Sequence, residues 1–443
     1  MRNYLLTFVC FFLLFQVCAQ NPKTMGAIDT LTYQQFFSND YKGLQKTAKQ
    51  AIKEGLDFYF LRTRLAISYY NQKNYESSLP HFKKAQEWFP LDTIIQEYYY
   101  YALEFTGRYE DAYDLAKGFS KSMQQKVGFQ KFMVFNLNQD EIAITAGIAG
   151  NNNIARFDSL DIKDTNIYAE GTFQGGTTLA SFVLKKRITP RSNLTVGYSY
   201  FENKSFGKIQ TYDSTAVQTF WNNPYQLNIA YDYLLPFGLK VGGSYGAYHE
   251  ASNYLSAEYD TTTYTFNYSH NSNVNNRYTA SLFLAYRWDR FEFYGSGSIG
   301  NLAARKQKQL ELGLVYFPFG NQAFYSVTTG TLLFNDSTKA FLIHQKLGGY
   351  IYKNLWYELS GSYGNFQNYI GAGGFSTYNT FDPVQFASSL SFIFYFKNLT
   401  IIPSYGLQIR KSNYYTVDNN LNINTLTNKY YHHILTLTAK WTF

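Results

Sequence analysis

The sequence predicts an α + β multidomain chain: a short all-α module followed by an antiparallel transmembrane β-barrel of about 14 strands. Three observations predict it. The hydrophobic period changes near residue 135 from helical to two. After that point alternating runs recur whose connections are in turn short and long. Aromatic residues make up 20% of the chain and charged ones only 16%, yet mean hydropathy is -0.31, a combination given by large apolar side chains alternating with Ser, Thr, Gly and Asn. At 443 residues the chain exceeds one ordinary domain.

The first element is an export signal. Arg2 precedes an apolar stretch from about Tyr4 to Val17, and Val17-Cys18-Ala19 places a small residue before a cleavage point. Residues 1–19 therefore read as a secretory signal peptide, the apolar run being short for a bilayer span. Cleavage removes Cys10 and Cys18, the two cysteines of the chain, and takes the net charge from +8 to +7. A disulfide framework and a cysteine nucleophile are then excluded. No later apolar run is long enough for a transmembrane helix.

Residues 25–130 carry a repeat. Asp40-Tyr41, Asn74-Tyr75 and Arg108-Tyr109 recur 34 residues apart. The middle copy places Leu65, Ala66, Tyr69, Tyr75, Ser78, Phe82, Ala85 and Pro90 so that small residues let two helices approach, aromatics fill the groove and the proline ends the second helix. On these residues the stretch resembles tetratricopeptide repeats. The third copy keeps Gly107, Tyr109 and Ala112, while the first shows only Tyr41, Leu44 and Ala51 of its second half, giving about two and a half repeats. The resemblance implies a concave partner-binding face made of Thr63, Ile67, Tyr70, Asn71, Glu97, Tyr101, Glu104 and Phe105; the alternative is that these residues pack the short array.

Residues 138–443 form the barrel. In 239–249, Leu239, Val241, Tyr245 and Ala247 alternate with Lys240, Gly242, Ser244 and Gly246, and runs 291–300 and 398–410 behave alike. Short turns at 188–192, 235–238, 288–290, 318–321, 353–354 and 397–398 face long polar loops at about 203–222, 250–276, 366–383 and 411–428. Short periplasmic turns and long extracellular loops are the pattern of an outer-membrane barrel. Fourteen strands are counted, with twelve or sixteen as alternatives because 151–176 is ambiguous. An even number puts both barrel ends, and the repeats before them, in the periplasm. The last strand, TLTAKWTF, has its apolar face toward lipid; Trp441 and Phe443 resemble the C-terminal signal read by the barrel-assembly machinery.

Sites of chemistry are few. Gly242 to Gly246 matches GxSxG and Gly295 to Gly300 matches GxGxxG, but both lie inside strands, without the helix either motif needs. His432 and His433 point to opposite faces of a strand and cannot share a metal. His249, His432 and Asp418 are the candidates for a barrel hydrolase, a third-ranked reading. No catalytic residue, metal or cofactor is assigned, and no basic stripe calls for nucleic acid. Lys240, Arg277, Arg287, Glu292, Glu311, Glu358, Arg410 and Lys440 are expected to line the lumen, either tuning a water-filled pore or pairing across it to close it.

The whole pattern resembles Gram-negative outer-membrane proteins with periplasmic tetratricopeptide repeats, among them the exopolysaccharide exporters, which carry far longer arrays. The resemblance implies a barrel that anchors a module recruiting a periplasmic protein partner, as scaffold or accessory of a transport, secretion or assembly complex. The alternative is a porin or export channel.

Overall fold

The computed structural model describes residues 24–131, 140–153, 166–302, 306–335, 338–377 and 382–443. The signal-peptide reading of 1–19 lies outside the described residues. The chain divides into two compact units, Met1–Lys131 with Phe319–Gln322, and Phe132–Pro318 with Ala323–Phe443.

The first unit is helical: α1 (Met25–Phe37), α2 (Tyr41–Lys53), α3 (Tyr59–Asn71), α4 (Tyr75–Trp88), α5 (Thr93–Phe105), α6 (Tyr109–Lys117) and α7 (Lys121–Lys126). Helices begin at 25, 59 and 93, and again at 41, 75 and 109, so the described residues hold three hairpins with a period of 34. The expectation of two and a half copies is corrected. α1 buries only Ile28 and Thr32, too few positions to leave a helical period in the sequence. Asp40 and Asp92 cap α2 and α5 by accepting main-chain N–H groups of Gly43 at 3.0 Å and Ile94 at 2.8 Å. The turn inside each hairpin needs a left-handed residue, supplied by Asn39, Lys73 and Gly107 with φ of 58°, 60° and 75°. Leu65, Ala66, Phe82 and Ala85 are fully buried, the last three in one core with Ala102 and Ala112.

The second unit is a β-barrel. Its strands are β1 (Glu141–Asn151), β2 (Asn166–Thr189), β3 (Ser192–Thr211), β4 (Thr215–Asn222), β5 (Tyr225–Leu234), β6 (Leu239–Asp260), β7 (Thr265–Trp288), β8 (Phe291–Gly300), β9 (Gln307–Tyr316), β10 (Phe324–Asn335), β11 (Thr338–Tyr352), β12 (Leu355–Gly364), β13 (Ile370–Gly371), β14 (Ser376–Thr377), β15 (Val384–Phe396), β16 (Leu399–Asp418) and β17 (Ile423–Thr442). β1 pairs antiparallel with β17 from Glu141 opposite Thr442 to Asn151 opposite His432, which closes a ring of 14 strands and leaves out β4, β13 and β14. Both ends of the barrel thus lie on one rim. Closure satisfies every spanning strand's main chain without an open edge.

The outward face carries the apolar set. Ile148, Leu282, Leu312, Phe341 and Leu437 are each more than half exposed, an arrangement that only lipid makes favourable. Trp288, Tyr352, Phe396 and Trp441 are exposed at the short-turn rim, while Tyr198, Tyr225, Tyr363 and Tyr431 are exposed toward the other end. Such girdles mark the two interfaces of a bilayer.

Three of the four expected long loops are corrected to strand. β6 and β7 stay paired to Asp260 and Thr265, β16 and β17 to Val417 and Ile423, and β3 with β4 to Gln210 and Thr215. Beyond the bilayer both faces of a hairpin are wet, so its sequence loses the apolar alternation and reads as loop. Where β1 stops, Tyr168–Gly171 of β2 pair with Tyr414–Val417 of β16. A further sheet, β4–β3–β2–β16–β17, therefore stands on the long-loop side. The connection between β12 and β15, described at 365–377 and 382–383, is neither short nor a paired hairpin extension.

Candidate functional site

Alternation along the strands sets what faces the lumen. On β6, Tyr245 is exposed outward and Tyr248 buried; on β9, Leu310 is exposed and Gln309 buried. By the same alternation Lys240, Arg277, Arg287, Glu292, Glu311, Glu358, Arg410 and Lys440 point inward. They meet partners along the wall. Lys240 lies 3.0 Å from Asp232, Lys440 3.1 Å from Glu141, and Arg277 3.9 Å from Glu250. Glu358 sits 3.3 Å from Lys346 and accepts a hydrogen bond from Tyr325. The Arg287 guanidinium stacks 4.3 Å from the centre of the Phe317 ring, and Glu292 stands opposite Arg287 in register. Each of these four salt bridges joins neighbouring strands, so none of them spans the lumen.

What enters the lumen is the connection between β12 and β15, described at 365–377 and 382–383. Sequence reading placed it among the extracellular loops; instead it folds into the barrel. Phe366, Asn368, Ile370 and Asp382 are each at most 3% exposed. Its hydrogen bonds go to inward side chains around much of the ring. Gln307 Nε2 donates to Asn368 O at 2.6 Å, and Gln309 Nε2 to Ile370 O at 2.8 Å, while Ile370 N donates back to Gln309 Oε1 at 3.1 Å. Tyr369 OH donates to Glu311 Oε2 at 2.9 Å. Farther on, Ser244 donates to Gly373 O, Tyr248 OH to Gly374 O at 2.8 Å, and Gln226 Nε2 to Phe375 O at 3.3 Å. At its far end Asp382 accepts from Tyr430 OH at 2.7 Å, beside Arg410, which donates to Gln408 and Gln174. β9 and β17, which hold Gln309 and Tyr430, are nearly half the circumference apart.

The wall makes room for this segment with small residues. A Cβ on Gly197 would come within 2.9 Å of the Phe375 ring, and one on Gly300 within 3.4 Å of Ile370 Cδ1. The signal for an inward segment was Gly371-Ala372-Gly373-Gly374 between Ile370 and Phe375, a run that fits neither a strand nor a solvated polar loop. Gly373 and Gly374 have φ of 62° and 94°, conformations that glycine adopts without strain.

The proposed hydrolase residues do not converge. His249 bonds to Asn276 at 2.9 Å and stacks on Tyr225, whereas His432 is buried near Asn151 on β17. Asp418 caps the β16–β17 turn through the N–H groups of Asn420 and Asn422, both at 2.9 Å. His432 points inward and His433 outward to Tyr405, 2.7 Å away. Ser244 of the GxSxG match holds Gly373, and the GxGxxG match is strand β8.

In the helical unit the eight residues expected on a partner-binding face divide. Ile67 is 8% exposed and belongs to the core, since α3 is covered by both α4 and α5. This corrects its placement on the face. Tyr70 packs edge-on against Tyr75 and Tyr98, and Phe105 lies against Tyr75. Thr63 and Glu104 are half-buried. Glu97 pairs with Lys126 at 2.6 Å, Asn71 donates to Tyr41 at 2.9 Å, and Tyr101 stacks on Phe105. A feature missed from sequence is an exposed aromatic row: Phe37 and Tyr33 touch, Arg64 bridges Tyr33 and Phe60, and Tyr59 joins Phe60 to Phe89.

No family model matches the chain, and no curated protein does. Among solved structures the chain is similar to a Pseudomonas aeruginosa FadL homologue, at 9% identity over 69% of this chain and 90% of that one, with a TM-score of 0.47. It is similar to the Pseudomonas putida toluene transporter TodX at 7% identity, over 70% and 91%, with a TM-score of 0.45. The translocator domain of the autotransporter NalP from Neisseria meningitidis gives 8% identity over 69% and 89%, with a TM-score of 0.35. Likenesses this distant carry no argument about cargo or mechanism.

Proposed function

We propose that this protein is an outer-membrane transport channel whose resting passage is narrowed by the segment 365–377. The observation that carries the reading is the inward segment, bonded to inner-wall side chains on β5, β6, β9 and β17. An inert anchor needs only a filled interior. A ring of 14 strands is too wide for side chains alone to fill, and a segment held mainly by hydrogen bonds to its main-chain carbonyls is a removable filling. The paired wall charges leave the lumen nearly neutral, which favours uncharged polar solutes over ions.

The reading is tested by planar-bilayer conductance and liposome swelling. The full chain is compared with a variant in which residues 366–377 are replaced by an equally long Gly/Ser stretch. Conductance and sugar uptake are expected to rise several-fold in the variant. A folded variant as silent as the parent would overturn the channel reading and leave a membrane anchor.

The helical unit is read as a tetratricopeptide-type module in the periplasm that recruits a protein partner. The exposed row of Phe37, Phe60 and Phe89, with Leu91 86% and Ile94 56% exposed, favours this second role. Phe60→Glu with Leu91→Glu should abolish co-purification of that partner from envelope extracts without changing conductance. A partner retained at its parental amount would refute this role.

A further inference from the structure

We infer that the strip of inner wall occupied by residues 368–375 is a peptide-binding groove, and that the segment is its resident occupant. The inference deepens the channel reading and rests on it. Gln307, Gln309, Ser244, Tyr248 and Gln226 come from three strands, and each donates to a main-chain carbonyl of the segment. Carbonyls are common to all peptides, so these contacts do not read the occupant's sequence. Side chains are read at two places. Ile370 is buried against Tyr248 and Leu302. The Phe375 ring takes the slot left by the missing side chain of Gly197. Between them lie small residues, two with positive φ that a β-branched residue could not adopt without strain.

The groove also offers more than the segment uses. Asn228 Oδ1, Ser281 Oγ and Gln307 Oε1 have no partner among the described residues, although these residues are only 2%, 4% and 3% exposed. Asn228 Oδ1 stands beside Gly246, where a Cβ would meet it at 2.5 Å and Thr279 Oγ1 at 2.8 Å. Buried acceptors of this kind fit N–H donors, the group in which a glycine-rich peptide is as rich as in carbonyls. The ligand class assigned is therefore a short peptide with an aliphatic residue, a glycine-rich stretch and then an aromatic residue.

The test uses the full chain with Ser376→Cys, an exposed position on the segment, carrying an environment-sensitive dye. The peptide Phe-Gln-Asn-Tyr-Ile-Gly-Ala-Gly-Gly-Phe-Ser-Thr, copied from residues 366–377, and the shorter Leu-Gly-Ala-Gly-Gly-Phe, which keeps only the core of 370–375 with leucine for Ile370, are each titrated. Both are expected to displace the labelled segment saturably. Versions with valine at the central glycines should need roughly tenfold more, the size of one strained or unpaired buried group. Adding Gln226→Leu, which removes one donor and leaves the other four, should weaken capture of both peptides. No displacement by either peptide in a folded barrel, equal displacement by the valine versions, or displacement by maltooligosaccharides instead would overturn the assignment. Because the dye reports displacement and not current, a barrel that binds peptide without conducting refutes the channel alone.

Discussion

Gln309→Leu isolates the hold on the segment. In the parent, the Gln309 amide makes a two-point pair with the peptide unit of Ile370, donating at 2.8 Å and accepting at 3.1 Å. Gln309 is 4% exposed and Ile370 2%, so water cannot take over either bond while the segment stays seated. Leucine is close in volume and leaves the Ile370 N–H and C=O buried and unpaired, at a cost of about 1–3 kcal/mol each. The seated state should lose about 2–6 kcal/mol relative to a state in which the segment is wet. At 1.4 kcal/mol per decade, the unseated population rises roughly 30- to 20,000-fold. The assay is single-channel recording of parent and variant in planar bilayers, with heat-modifiable gel migration as the check on barrel folding. Open time should increase steeply with unit conductance unchanged. An unchanged open probability in a folded variant would refute the view that these hydrogen bonds hold the passage closed.

The left-handed turn at Lys73 gives a second prediction. Lys73→Gly should stabilise the helical unit by about 0.5–1 kcal/mol, because a lysine pays for αL what a glycine does not, and the shift is read from thermal unfolding by circular dichroism. Burial, and Arg62 whose Nη1 lies 2.7 Å from Nδ1, hold the His81 ring down at about 4, against 6.5 when unfolded. The folded unit then binds fewer protons than the unfolded one between these values. Its stability should be flat above pH 6.5 and fall as pH drops from 6.5 through 4, with the slope reduced in His81→Gln; a slope of opposite sign in urea titrations would refute this. On the lipid face, Leu437→Lys should cost the barrel about 2–4 kcal/mol in bilayer unfolding titrations, as Leu437 is 54% exposed outward.

The barrel was legible because lipid imposes a strict rule on each spanning strand. Runs such as 239–249 alternate, and their register with β5 and β7 follows from that alternation. The rule lapses where lipid ends. Asn253, Ser256, Ser269 and Asn271 on the β6–β7 extension bond to one another or to neighbouring strands, and such polar ladders look like loop in a sequence. In the helical unit, Tyr41, Tyr75 and Tyr109 disclosed the period, while α1 escaped because its partner face is only Ile28 and Thr32.

The inward segment failed to show for a different reason. Its determinants are spread over β5, β6, β9 and β17 as single Gln, Ser and Tyr residues, each of which reads locally as an ordinary inward polar position. Only the ring brings Gln226 and Gln309 to the same strand of backbone, although 83 residues separate them in the chain. The converse holds for the charges. Lys240, Glu358 and Lys440 stood out in the sequence, yet each is neutralised by a neighbour one strand away. In a barrel, conspicuous charge on a spanning strand thus reports how the wall is held together. The groups that hold the inward segment are mostly uncharged amides and hydroxyls on several strands, brought together by closure of the sheet.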